Sequence, residues 1–158
     1  GIYVHSLFGS RNWHEGVAQT GRNRTINRRK FERRELEAEL ADPASVAHQV
    51  FTRYRELLRI RRGEPAFHPN GEQRVLDLHP AVFALLRISP DGSRRVLCLQ
   101  NVSGHRLSIG LRNLESELST EAPLFDLIAG AEVTADGATE SGLVLSPYGI
   151  VWLSSCTT

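Results

Sequence analysis

Methionine is missing from all 158 residues, cysteine occurs twice, and no long apolar run appears anywhere. Each absence narrows the reading. Two cysteines, Cys98 and Cys156, cannot build a disulfide framework. Cys98 lies inside Val96-Leu97-Cys98-Leu99, where a free thiol behaves as a small hydrophobe. That usage fits a reducing, cytoplasmic compartment. Without a stretch near the roughly 20 apolar residues that span a bilayer, and without a signal peptide, no membrane role is expected. Aromatic residues make up only 7% of the chain, and the net charge is just +1. Metal-ligand spacing is lacking as well. His14-Glu15 has no second histidine at the metalloprotease interval, and His48, His68, His79 and His105 are scattered. Neither a metal nor an organic cofactor is expected.

What is present is an ordinary globular composition, 41% apolar and 23% charged. The small net charge hides a division. Residues 1–62 hold 13 basic against 7 acidic side chains, a balance of +6, and residues 63–158 hold 6 against 11, a balance of −5. Two structural units are expected, 1–65 and 66–158.

The first unit opens on Ile2-Tyr3-Val4-His5-Ser6-Leu7-Phe8, a near-continuous apolar run that reads as a strand buried on both faces, as in a parallel sheet. Such a strand needs partners, and none follows. Together with a glycine start and no methionine, this suggests a piece of a longer protein. Glu32–Leu40 reads as a short helix. Asp42-Pro43 then supplies a helix cap and a first-turn proline. Val46, Val50, Tyr54, Leu57 and Leu58 recur at helical spacing, with Gly63 at the C-terminal cap and Arg59, Arg61 and Arg62 on the negative end of the dipole. After Glu64-Pro65 the period becomes that of strands. Arg74–Leu78, Val82–Ser89, Arg94–Asn101, His105–Leu111, Pro123–Ile128, Glu132–Thr134, Leu143–Ser146 and Gly149–Ser154 alternate or run apolar between turn signals. Pro90-Asp91-Gly92-Ser93 and Pro147-Tyr148 are two of those signals. An antiparallel β-sandwich is the expectation for 66–158.

Between the opening run and the long helix lies the polar stretch Gly9–Arg28, GSRNWHEGVAQTGRNRTINR. Loops on a rigid scaffold carry binding groups, and this one holds Arg11, Arg22, Arg24 and Arg28 with Asn12, Asn23 and Asn27. Guanidinium and amide groups donate hydrogen bonds to hydroxyls and anions. They do not break bonds by themselves. Gly16–Asn23 has the glycine spacing of a phosphate-binding loop but puts Arg22 where lysine belongs and Asn23 where a hydroxyl belongs. The run Arg28-Arg29-Lys30 with Arg33-Arg34 has only Phe31 as an aromatic neighbour, and acidic residues follow at once. A solvated basic face accounts for it better than a nucleic-acid site.

The closing words Phe125-Asp126-Leu127-Ile128-Ala129-Gly130 and Leu145–Leu153 resemble the C-terminal sandwich of α-amylase-family glycoside enzymes. The opening Gly1–Asn12, followed by Gly21-Arg22-Asn23-Arg24-Thr25-Ile26-Asn27-Arg28, is similar to the sucrose-phosphorylase-like subfamily, which includes phosphorylases of sucrose, sucrose 6-phosphate and glucosylglycerate. The resemblance implies an α/β plus all-β fold: the last strand and closing helix of a (β/α)8 TIM barrel, then a C-terminal antiparallel β-sandwich. It implies a retaining glycoside phosphorylase that moves a glucosyl group between an α-glucoside and phosphate, its carboxylates lying upstream of residue 1. No catalytic residue is therefore expected in this chain. In the resemblance Arg24 holds the glucosyl ring, with Arg22 and Asn23 beside it and His5 at the site's rim. Asn27 and Arg28 shape the loop. Inorganic phosphate is the expected co-substrate and a sugar the expected small-molecule partner. Hydrolysis or transglucosylation on the same scaffold is the neighbouring reading. A non-enzymatic module docking nucleic acid or protein through its basic arm is the reading from another class.

Overall fold

A computed structural model describes residues 1–118, 123–133 and 142–155. The chain divides into two compact units, Gly1–Arg59 and Ile60–Thr158.

The first unit is helical in its described residues. Its elements are α1 (Val4–Leu7), α2 (His14–Thr20), a 3-10 segment (Asn23–Asn27), α3 (Arg33–Ala41) and most of α4 (Val46–Gly63). The expected strand over Ile2–Phe8 is absent, and the α/β half of the expected fold is not seen. Buried strand backbone must find ladder partners, and this chain brings none to the opening run. Local bonds take their place: the Leu7 amide donates to the Tyr3 carbonyl at 3.0 Å and the Phe8 amide to that of Val4 at 3.2 Å. Ile2, Tyr3 and Val4 remain exposed. The start of α4 also differs from expectation. Asp42 and Pro43 form a turn in which the Asp42 carboxylate accepts from the Ala44 amide at 2.9 Å, and Ser45 caps the helix by accepting from the His48 amide at 3.0 Å. A side chain bonded to the third helical amide is the usual N-cap geometry. His48 Nδ1 then meets the Leu40 carbonyl at 2.7 Å and ties α4 to α3.

The second unit is β-rich. It comprises the end of α4, a 3-10 turn (Pro65–Phe67), β1 (Glu72–Leu76), β2 (Val82–Ile88), β3 (Arg95–Asn101), β4 (Leu107–Gly110), α5 (Leu111–Leu118), β5 (Leu124–Asp126), β6 (Ala131–Glu132), β7 (Gly142–Leu145) and β8 (Ile150–Ser155). Six strands form one sheet in the order β1-β2-β3-β8-β5-β6, and β4 pairs with β7 in a separate ribbon. Every described pairing is antiparallel. Alternation along β2 sends Val82, Ala84, Leu86 and Ile88 to one face, where they join Leu97, Leu99 and Leu153 of the sheet. Ile109, Leu143 and Leu145 of the ribbon and Leu114 and Leu118 of α5 close over the same core. Two layers around one apolar core are consistent with a small C-terminal sandwich.

The opposite face of the sheet holds a smaller cluster, Ala66, Phe67, Val96 and Cys98, flanked by Leu85, Leu127 and Trp152. Buried Arg87 secures it from β2. Its guanidinium donates to the carbonyls of Ala66 and His68 at 3.3 and 2.7 Å and to Gln73 Oε1 at 2.7 Å. Residues 134 and 156, the end of one expected strand and the second cysteine, lie outside the described residues.

Candidate substrate-binding site

The stretch Gly9–Arg28 is not a continuous loop. Trp13 organises it, its amide donating to the Ile26 carbonyl at 2.8 Å. Gly16 sits against the Trp13 indole so closely that a Cβ there would fall 2.2 Å from the ring. That close approach explains a glycine inside α2. Gly21 ends the helix in the left-handed region (φ 66°), its amide returning to the Val17 carbonyl at 2.8 Å. This is the C-terminal glycine device. Thr20 and Thr25 hydroxyls meet at 3.0 Å and join α2 to the 3-10 segment.

Gly9 makes the turn after α1 at φ 58°, and a Cβ there would stand 2.8 Å from Val50 Cγ2. The chain thus packs tightly on α4 and turns the following polar residues outward. Phe8 supports the corner, its ring 5.7 Å from that of Phe31 and 5.5 Å from that of Phe51. His5 stacks on Phe31 at 4.9 Å while its Nδ1 lies 2.8 Å from Ser10 Oγ. When the Ser10 hydroxyl donates instead to the His5 carbonyl, at 3.3 Å, Nδ1 is the protonated nitrogen. Tyr3 reaches across to donate to the Asn27 carbonyl.

These contacts frame an open cleft of about 390 Å³ lined by Tyr3, His5, Ser6, Gly9, Ser10, Arg11, Asn12 and Asn27. A second depression of about 350 Å³ shares Gly9, Ser10 and Arg11 with it and continues past Phe8, Arg29, Phe31 and Glu39 to Ala47. The first cleft presents hydroxyls, amides, an imidazole and one guanidinium, and no carboxylate. Such a lining can bind a polyol or an anion and has no group to attack a glycosidic bond.

Of the residues singled out in the sequence, the structure brings His5 and Asn27 to this cleft. Arg22, Asn23 and Arg24 do not line it. Arg22 precedes the 3-10 segment, Asn23 and Arg24 lie within it, and all three are exposed. Arg28 closes the segment, its amide donating to the Thr25 carbonyl at 2.9 Å. Asn27 and Arg28 thus contribute main-chain bonds to this segment. Arg11 and Asn12, named in the sequence among the loop's guanidinium and amide donors, line the cleft too, joined by Tyr3, Ser6 and Ser10, which residue type did not single out. For Ser10 the sequence signal is the polar run immediately after Gly9. In the basic run, Arg29 lies 3.9 Å from Glu35 and Arg33 2.8 Å from Glu37.

No protein-family model matches the chain. Curated relatives do. Over 157 residues the chain is 43% identical to a glucosylglycerate phosphorylase of Spirochaeta thermophila, covering 98% of this chain and 27% of that protein. Over 103 residues it is 46% identical to a glucosylglycerate phosphorylase of Allomeiothermus silvanus, covering 65% of this chain and 18% of that protein. The matches fall in the C-terminal part of these relatives. The chain is thus similar to the C-terminal part of glucosylglycerate phosphorylases.

A crystal structure of AmyP in complex with maltose shares the fold, with a TM-score of 0.55 and 15% identity over 72% of this chain and 22% of that one. The chain spans about a quarter of the length of its Spirochaeta relative. Because that alignment covers 98% of the chain, the similarity extends through the cleft and the 3-10 segment as well as the β-rich unit. Among the described residues, no helix is long and apolar enough to cross a membrane.

Proposed function

We propose that this chain is the C-terminal part of a glycoside phosphorylase that transfers a glucosyl group reversibly between an α-glucoside and inorganic phosphate. Glucosylglycerate is the proposed glucoside, because two relatives at 43% and 46% identity carry that activity in their names. That likeness is the observation on which the proposal stands. The reaction proceeds with retention. A carboxylate attacks the anomeric carbon, a carboxylic acid protonates the departing glycerate oxygen, and phosphate then displaces the enzyme carboxylate to give glucose 1-phosphate. Retention needs two carboxyl groups about 5 Å apart. They are assigned to parts of the full-length protein outside this chain, as the end of a TIM barrel is for residues 1–65. No metal or organic cofactor takes part.

Within this chain, Arg24 is the proposed contact to the glucosyl ring, with Arg22 and Asn23 beside it and His5 on the rim. An exposed arginine without an ion pair among the described residues has its donors available for sugar hydroxyls. In the full-length protein, Arg24→Ala should lower kcat/KM for glucosylglycerate by about 100-fold or more, the scale of losing charged hydrogen bonds that tighten in the transition state. Unchanged kinetics would remove Arg24 from the site.

A further inference from the structure

Eight arginines and lysines of the first unit have no ion pair among the described residues, and of these Arg11 alone lines either of the two depressions described above. Arg29, the other cation at a cavity wall, faces Glu35 at 3.9 Å. Arg11 is exposed and lies where the two depressions meet. On one side of it the open cleft gathers Tyr3, His5, Ser10, Asn12 and Asn27, none of them a carboxylate, and on the other the adjoining depression includes Glu39. Gly9 leads the chain into this group through a left-handed turn packed close against Val50. A guanidinium beside amide and hydroxyl donors matches a small oxyanion, which such groups hold through charge-assisted, often bidentate, bonds.

We propose that Arg11 is an oxyanion-binding residue, recognising either the carboxylate of a small hydroxy-acid acceptor or inorganic phosphate. The inference rests on the phosphorylase reading above and adds to it a residue and a charge preference. Arg11 supplies the cation, Asn12 and Ser10 supply neutral donors, and the remaining hydroxyls of the acceptor face Asn27 and Tyr3. A neutral polyol of the same size lacks the group that Arg11 holds.

The test uses the full-length protein and its Arg11→Ala and Arg11→Lys variants. KM is measured for glycerate and for glycerol with glucose 1-phosphate as donor, and for inorganic phosphate with glucosylglycerate as donor. If the oxyanion is the carboxylate, Arg11→Ala raises KM for glycerate about 10- to 100-fold, leaves KM for phosphate in place and abolishes the preference for glycerate over glycerol. If it is phosphate, the same rise appears in KM for phosphate alone. In either case Arg11→Lys, which keeps charge but not the fork, recovers part of the loss. Unchanged KM values for both anions overturn the inference, as does a fall in kcat alone. Wild-type protein that makes no glucose 1-phosphate from glucosylglycerate overturns the phosphorylase reading and this inference with it.

Discussion

Replacing Glu64 separates two tasks that one buried carboxylate performs at the end of α4. Its Oε1 accepts from the Ala66 amide at 3.1 Å, capping the 3-10 turn, and its Oε2 meets Arg94 Nη2 at 2.8 Å. The Glu64 side chain is 7% exposed and that of Arg94 22%. Removing one partner of a fully buried pair costs about 3–5 kcal/mol. Arg94 can turn partly to water, so Glu64→Gln, which keeps the capping oxygen, should cost only about 1–2 kcal/mol. Glu64→Ala also strands the amide of Ala66, a residue with no exposed surface, and adds the roughly 1–3 kcal/mol of an unsatisfied buried donor. The expected total is therefore about 2–5 kcal/mol. Urea unfolding in a Trp13→Phe background reads the difference through Trp152, whose ring lies 4.8 Å from that of Phe67 beside the cap. Equal losses for the two variants would refute the capping contribution. A loss below about 0.5 kcal/mol for Glu64→Ala, the level of an ordinary surface change, would refute the whole argument.

Three further outcomes are expected. Asp91 accepts from the Ser89 hydroxyl and from the Ser93 amide and hydroxyl, which lower its pKa from 3.8 to about 2. Its contribution to stability is therefore present above pH 3.8 and lost as pH falls through about 2. Asp91→Asn should flatten the acid limb of a stability–pH profile, and an unchanged limb would contradict this. Burial pushes the Cys98 thiol up to about 12, against the opposing fields of Arg61 and Arg87. In a Cys156→Ser variant a thiol reagent at pH 8 should label Cys98 only after denaturation, whereas labelling of the native chain would show the face open. Gly16→Ala should destabilise the first unit by about 1–3 kcal/mol, the range for overpacking. Native Trp13 fluorescence during unfolding measures it, and a neutral result would mean that the indole moves aside freely.

The β-rich unit was readable because its signals are local. β2 and β3 alternate strongly on either side of Pro90-Asp91-Gly92-Ser93, and their register from Ile88↔Arg95 follows that turn. Buried Leu86, Leu97, Leu99 and Leu153 occupy positions that alternation assigns to one face. α5 was missed because two periods overlap at its start. Leu107, Ile109 and Leu111 alternate as a strand does, while Leu111, Leu114 and Leu118 follow a helix, and the helical pattern governs from Leu111 onward. The opening run failed for the converse reason. Its apolar character fits a buried strand, but strand structure depends on hydrogen-bond partners that residue pattern cannot supply. α2 is short, with a glycine in its first turn, and only Gly21 announced its end. The cleft was half legible: Arg11, Asn12 and Asn27 were named as donors of the polar loop and His5 through the resemblance, whereas Tyr3 and Ser10 required the turn at Gly9 to be seen.

The central claim is that the full-length protein hands glucose to phosphate rather than to water. Incubating it with glucosylglycerate, with and without inorganic phosphate, and quantifying glucose 1-phosphate against free glucose tests this directly. The account predicts α-glucose 1-phosphate as the dominant product, formed only when phosphate is present and in proportion to glycerate released. Free glucose formed at the same rate without phosphate would contradict it.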